Sequence, residues 1–138
     1  MKKVFLSYSH RDDALASRLT KTLESEGVRV WYGSRDILPG DNWAEKIAKA
    51  LADSDAMVVL ISPSALESSC VKREIEYALG KTGYDRHRLI PVVVGGRTLL
   101  EAGDFPWILK KLNVIQLPED EQSEEGFKRV VEALRQVA

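Results

Sequence analysis

One carboxylate in this sequence stands where it could do chemistry. In the stretch CVKREIEYAL (70–79), helical spacing forms an apolar stripe that includes Val71 and leaves Glu74 about 60° away from it. Cys70 and Tyr77 share that flank with Glu74. Such an acid is either a solvated residue at the boundary of the stripe or a carboxylate at the lip of a pocket, and the place of the helix in the fold decides between them.

The elements that must position this helix alternate along the chain between strand-like and helix-like segments. The strand-like segments are 3–8, 28–32, 56–62, 88–96 and 113–117. This alternation predicts a flavodoxin-like α/β three-layer sandwich, with a five-stranded parallel sheet in the order 2-1-3-4-5 and helices on both faces. Pro91 predicts a break in the hydrogen-bond ladder of the fourth strand or an edge position. The length predicts a single domain, 1–138.

The winding of such a sheet indicates where a ligand would bind. Ligands lie beyond the carboxyl ends of the strands, at the point where the winding reverses. Here that point falls between strands one and three, whose following loops are 7–13 and 62–69. Glu74 lies on the helix that leaves the second loop, so we expect it beside the crevice.

The residues of these two loops argue against the phosphate chemistries common in such crevices. A phospho-acceptor site needs an acid at the end of strand three, where the sequence has Ile61, Ser62 and Pro63. A flavin phosphate loop needs small residues, but SYSHRDD contains no Gly, and no G-x-G-x-x-G occurs. One strong acid among hydroxyl-bearing and aromatic side chains favours polyol recognition and glycosidic-bond chemistry. We expect the hydroxyls of Ser7 and Ser62 to form hydrogen bonds with backbone groups of the loops and not to act as nucleophiles.

The composition of the chain limits which partners the protein is expected to bind and in which cellular compartment it is expected to lie. A net charge of −1 and a pI of about 6.1 do not favour direct nucleic-acid binding. A single Cys excludes an intramolecular disulfide and suits a reducing, cytoplasmic compartment. The apolar run 56–61 is far shorter than the ~20 residues that span a bilayer, so no membrane partner is predicted. His10 and His87 lack partners at ligand spacing, so no metal site is predicted.

Five segments in order resemble the successive boxes of a bacterial Toll/interleukin receptor (TIR) domain. They are VFLSYSHRD, GVRVWY with DILPGDNW, SDAMVVLISPSALESS, REIEYAL and RLIPVVV. The resemblance covers nearly the whole chain and weakens after residue 97. It implies an enzyme that takes NAD⁺ as its substrate, needs no cofactor, and cleaves the nicotinamide–ribose bond to give ADP-ribose or a cyclic product.

The resemblance also implies the roles of particular residues. The family's catalytic acid lies in a W-x-x-x-E pattern, which falls here on positions 70–74 and makes Glu74 the catalytic residue. Tyr8 and Ser9 resemble the residues on the other side of the crevice. Trp43, after the second strand, is expected either to contact substrate or a partner, or to pack in the core.

The sequence departs from the family pattern at two positions. Cys70 stands where the pattern has Trp, and a thiol offers the nicotinamide ring far less contact area than an indole. Gly33 stands where many members carry Asp, and Asp36 is expected either to substitute for that acid in part and contact substrate, or to be only a loop residue. Both departures bear on turnover, and neither removes the acid.

The segment 33–43 resembles the family's BB loop, which mediates contacts between domains. Ile37, Leu38, Pro39 and Gly40 form its expected assembly surface, and the implied partners are other TIR domains in a homo-oligomer or filament. The implied role is defence-type signalling inside the cell, activated by self-assembly. Two alternatives remain open, namely a TIR interaction module without turnover and a nucleoside ribosyl- or deoxyribosyltransferase.

Overall fold

The computed structural model describes residues 2–32, 40, 43–67, 69–78, 88–94, 115–117 and 124–136. The elements are β1 (Lys3–Ser7), a 3₁₀ turn (His10–Asp12), α1 (Asp13–Ser25), β2 (Arg29–Trp31), α2 (Trp43–Asp53), β3 (Ala56–Ile61), α3 (Pro63–Glu67), α4 (Ser69–Glu76), β4 (Leu89–Val94), β5 (Ile115–Leu117) and α5 (Glu124–Arg135). The strands form a parallel sheet in the order β2-β1-β3-β4-β5. The predicted α/β class and the winding through β2, β1, β3 and β4 are confirmed, and β5 adds a short fifth strand beside β4.

Both faces of the sheet are covered by helices because successive side chains of a strand point to opposite faces. Val4 and Leu6 of β1 pack in a core cluster that includes buried residues of α1 and α5. Phe5 packs in a second cluster with residues of α2, α3 and α4. All six residues of β3 are buried, which explains why this strand is apolar throughout and shows no alternation.

One local expectation is met in part and another is wrong. Pro91 does not interrupt β4, which runs from Leu89 to Val94, and it lies opposite Val59 of β3. On the other side of β4, the described part of the ladder with β5 begins at Val92, one residue after Pro91, as a break in the ladder there would require. The segment 62–69, expected as a loop, contains the short helix α3.

The ends of the helices follow from local chemistry. Gly27 follows α1 with φ +83°, a left-handed conformation that favours glycine and ends the helix there, as predicted. After α4, Tyr77 and Ala78 form a wider π-type turn. None of the helices in the described part of the chain is both long and apolar enough to cross a membrane.

Candidate functional site

The site is built around a buried carboxylate and a buried hydroxyl. Glu74 of α4 is 2% exposed, and Ser7, the last residue of β1, is fully buried. The Ser7 hydroxyl donates a hydrogen bond to Glu74, with 2.9 Å between Ser7 Oγ and Glu74 Oε1. Ser7 is not the only group that interacts with this residue. The contact joins the carboxyl end of β1 to α4 across 67 positions of the chain.

The fold explains why these two side chains meet. Residues 3, 5 and 7 of β1 share one face of the strand, and Phe5 packs on that face in one cluster with Val71 and Ile75 of α4. Glu74 precedes Ile75 on α4, where the helix passes the end of β1. Glu74 lies at the flank of the apolar stripe of α4, and the end of β1 therefore covers its carboxylate.

This burial corrects the sequence prediction for Glu74. Neither a solvated boundary residue nor an open pocket lip describes a side chain that is 2% exposed. Glu76 is exposed, and Val71, Ile75 and Ala78 are buried, as the helical pattern predicts. The expected role of Ser7 is also wrong, because its hydroxyl donates to a side chain and not to a loop backbone group.

A second hydrogen bond joins the two loops of the crevice. The Ser62 hydroxyl, which follows β3, donates to Oδ2 of Asp12 in the 3₁₀ turn after β1. Ser62 Oγ also accepts from the backbone N–H of Ala65 at 3.1 Å, which caps the first turn of α3. Ser62 thus satisfies a backbone group, as predicted, and in addition holds the β1 and β3 ends together.

Tyr8 and Ser9 lie directly after β1, at the edge where they were predicted. The Tyr8 hydroxyl donates to Asp13 Oδ1 at 2.8 Å, and its ring packs edge-to-face on Tyr32 with 5.9 Å between centroids. Ser9 is 4% exposed and accepts from the Arg11 backbone N–H at 3.4 Å, which caps the 3₁₀ turn. Tyr8 packs toward the α1 face, whereas Ser7 and Glu74 meet on the α4 face.

The other predicted site residues are located in part or not at all. Asp36, Ile37, Leu38 and Pro39 lie outside the described residues, as does Gly33. Gly40 is exposed and adopts φ +92°, which suits the predicted turn. The backbone of Trp43 begins α2 and that of Cys70 lies in α4, but their side chains are outside the description.

The arrangement is suited to chemistry in which one acid, Glu74, binds a polar group or stabilises a developing positive charge. Ser7 donates to one oxygen of Glu74, which fixes the orientation of the carboxylate. Among the described residues no group of three or more His, Cys, Asp or Glu could hold a metal ion. Sequence reasoning missed Ser7 and Asp12 as site residues. The alternation of β1 could have assigned Ser7 to the α4 face, whereas no sequence signal pairs Ser62 with Asp12.

The protein is an α/β protein with a parallel sheet and a buried acid at the point where the winding of the sheet reverses. The family is shown directly, because a model of the TIR domain matches residues 4–131, and the chain belongs to this family. The predicted relationship to TIR domains is confirmed.

Three known proteins illustrate the relationship. The stimulator of interferon genes protein of Magallana gigas is 30% identical over 119 residues, which is 84% of this chain and 28% of that protein. The NAD(+) hydrolase ApTIR of Actinoplanes sp. is 34% identical over 109 residues, 71% of this chain and 15% of that protein. The TIR domain of the Toll-related receptor TRR-2 of Hydra magnipapillata has a TM-score of 0.72 at 21% identity and covers 98% of this chain and 99% of that one. The chain therefore spans less than a third of either full-length relative.

Proposed function

We propose that this TIR domain cleaves NAD⁺ at the nicotinamide–ribose bond, with Glu74 as its catalytic residue. The observation that carries the proposal is the buried Ser7–Glu74 pair at the reversal of the sheet winding. The identity to ApTIR, an NAD(+) hydrolase, supports it. We take residues 1–138 as one domain, acting in the cytoplasm.

The chemistry needs one well-oriented negative charge. The bond between the ribose C1′ and the nicotinamide nitrogen breaks with its electron pair going to nicotinamide, which leaves neutral. Positive charge then develops on the ribose ring, and the Glu74 carboxylate stabilises it. Water attacks C1′ and loses a proton to give ADP-ribose, or a hydroxyl or adenine nitrogen of the same molecule attacks to give a cyclic product.

Ser7 acts as a positioning residue in this scheme. Its hydroxyl donates to Oε1 of Glu74 and so fixes the direction in which the carboxylate faces. A carboxylate held by a buried partner has fewer orientations to lose when substrate binds, and such preorganisation lowers the barrier.

The burial of Glu74 also suggests how activity is controlled. At 2% exposure the carboxylate is covered in the isolated chain, and the ribose must reach it for cleavage. We propose that self-assembly uncovers the site through the predicted assembly segment, which includes Leu38 and the exposed Gly40. A head-to-tail contact between copies would propagate into a filament unless it closes into a ring.

The test follows nicotinamide release from NAD⁺ by chromatography across a wide dilution series, with light scattering on the same samples. We expect specific activity to rise with protein concentration as scattering rises. Leu38→Asp should lower activity and scattering together, and Leu38→Met should preserve both. Full activity in a demonstrated monomer would contradict activation by assembly. No nicotinamide at the highest concentration, with assembly intact, would leave the non-catalytic interaction module as the function.

A further inference from the structure

A second concave region lies away from Glu74, between α2 and the edge strand β2. It has a volume of about 450 Å³ and reaches the amino end of β1. Ser7 and Glu74 meet at the carboxyl end of the same strand. We name this region the basic cleft and define it by Lys3, Arg29, Trp31, Lys46 and Lys49.

The cleft concentrates positive charge in a chain whose net charge is −1. Four cations line it, against one carboxylate, Asp53. Within the described part of the chain, no ion pair joins any of these four cations to an acid. The fold therefore gathers four cations here, with Asp53 in the cleft and with the Asp55 carboxylate accepting a hydrogen bond from the Lys3 backbone N–H at 2.8 Å.

The register of the sheet brings two of the cations especially close. Lys3 of β1 is directly opposite Arg29 of β2, and Phe5 is directly opposite Trp31. The Phe5 and Trp31 rings contact each other at 5.1 Å between centroids, which places both pairs on the α2 face. Like charges directly opposite each other destabilise a sheet. A bound anion would remove that repulsion.

Half of the cleft is apolar, which an inorganic anion would not require. Trp31 is half-buried and lines the cleft together with Ala50, whereas Val4 and Val30 border it but pack their side chains on the α1 face. The volume lies within the range of small-molecule sites, which combine apolar walls with a few charged groups. An aromatic and apolar wall beside several cations matches a ligand with a flat ring at one end and several negative charges at the other.

We propose that the basic cleft binds a nucleoside polyphosphate. The phosphate groups lie against Lys3, Arg29, Lys46 and Lys49, and the base lies against Trp31. Arg and Lys form strong charge-assisted hydrogen bonds with phosphate oxygens, and several together give affinity that falls with salt. This site contains neither Ser7 nor Glu74, so binding does not depend on NAD⁺ cleavage.

The test is calorimetric titration of the protein with ATP in the absence of divalent metal, at low and at moderate salt. The double variant Lys46→Glu with Lys49→Glu reverses two charges of the cleft. The matched control, Lys21→Glu with Lys128→Glu, makes the same charge change at exposed positions on α1 and α5. We expect the cleft variant to weaken ATP binding by about tenfold or more and the control to weaken it far less.

Two further ligands test the two halves of the cleft. We expect inorganic tripolyphosphate to bind more weakly than ATP, because it lacks the base, and adenosine not to bind in the millimolar range. Glu74→Gln should bind ATP as the unmodified protein does, even if NAD⁺ cleavage is lost or was never present.

Three outcomes would overturn the proposal. One is no ATP binding in the millimolar range, and another is an equal loss of affinity in the cleft variant and its matched control. The third is self-association, abolished by the cleft variant, in a protein that binds no polyphosphate, since the cleft would then serve a second copy of the chain.

Discussion

The two ends of β1 differ in how they accommodate polar side chains, which are buried at one end and exposed at the other. At its carboxyl end, Ser7 and Glu74 are almost fully buried and hydrogen-bonded to each other. At its amino end, Lys3 lies beside Arg29 on an exposed face of the cleft, and no acid within the described residues forms an ion pair with either. The same strand thus supports a closed polar site at one end and an open charged one at the other.

The difference reflects the free energy of taking charge out of water. A buried carboxylate without partners is very costly, so the fold must supply donors where Glu74 lies. An exposed cation remains hydrated, and its repulsion from a neighbour is screened. Substitutions at the closed, carboxyl end of β1 should therefore change stability or turnover strongly. Substitutions at the open, amino end should change stability only weakly. Five substitutions test that contrast, from the largest expected effect to the smallest.

Glu74→Gln should have the largest effect on function. We expect nicotinamide release to fall about 10²-fold or more, because the charge that stabilises the developing positive ribose is lost. The amide oxygen of the new side chain can still accept from Ser7, so unfolding free energy should fall by only about 1 kcal/mol. Release is measured by chromatography and stability by denaturant unfolding. Glu76→Gln, an exposed change on the same helix, is the control and should leave both unchanged. Equal release from a well-folded Glu74→Gln variant would remove Glu74 from the mechanism.

Ser7→Ala should come next, because it removes a donor from a buried carboxylate. Leaving that acceptor without its hydroxyl should cost about 1–3 kcal/mol of unfolding free energy. We also expect kcat to fall about tenfold, which corresponds to about 1.4 kcal/mol, with little change in KM. Ser7→Thr keeps the donor and should restore much of kcat, whereas Ser17→Ala, on the exposed side of α1, should change nothing. A loss of stability without any change in kcat would make the Ser7 contact purely structural.

Ser62→Ala should affect stability more than turnover. It removes the cap of α3 and the hydroxyl that donates to Asp12, and losing such a cap costs about 1 kcal/mol. Chemical unfolding of this variant, of Asp12→Asn and of the double variant gives the coupling between the two side chains. Ser64→Ala removes a hydroxyl from the same helix and serves as the control. Strictly additive losses would mean that the Ser62–Asp12 contact does not hold the two loops together.

Cys70→Trp tests whether the closed end lacks a wall for the nicotinamide ring. A recovered aromatic surface is worth about 0.5–1.5 kcal/mol, so kcat/KM should rise by about two- to tenfold. Thermal unfolding must be measured first, because a larger side chain can overpack the site. A well-folded variant with equal or lower kcat/KM would show that the ring is held by other groups.

Lys46→Glu with Lys49→Glu should have the smallest effect on stability. Both side chains are exposed, so the unfolding free energy should change by no more than about 0.5 kcal/mol. Two effects oppose each other, because the new acids lie near Lys3 and Arg29 but the one at position 49 also lies four residues from Glu45 and from Asp53 on α2, and added salt should reduce both effects. Denaturant unfolding at two salt concentrations measures the net change. A large loss would mean that the open end is as tightly organised as the closed one.

Much of the fold follows from local patterns in the sequence. The apolar run of β3 and the spacing of α4 predict a buried central strand and an amphipathic helix, and both are present. Periodicity reports which face of an element is covered, and composition limits what can be buried. Pro91 indicates a missing ladder hydrogen bond, but the sequence does not reveal on which side of β4 it is missing, and among the described residues the pairing with β5 begins one residue later, at Val92.

The sequence by itself determined that one acid would lie on a helix between β3 and β4, near the reversal of the winding. Only the tertiary structure decided that Glu74 is buried, that Ser7 donates to it, and that Lys3 lies opposite Arg29. These three features depend on contacts between residues far apart in the chain, set by sheet register and by how α4 passes the end of β1. Helical and strand periodicity describe one element at a time, and burial of a flank residue depends on what another element places over it.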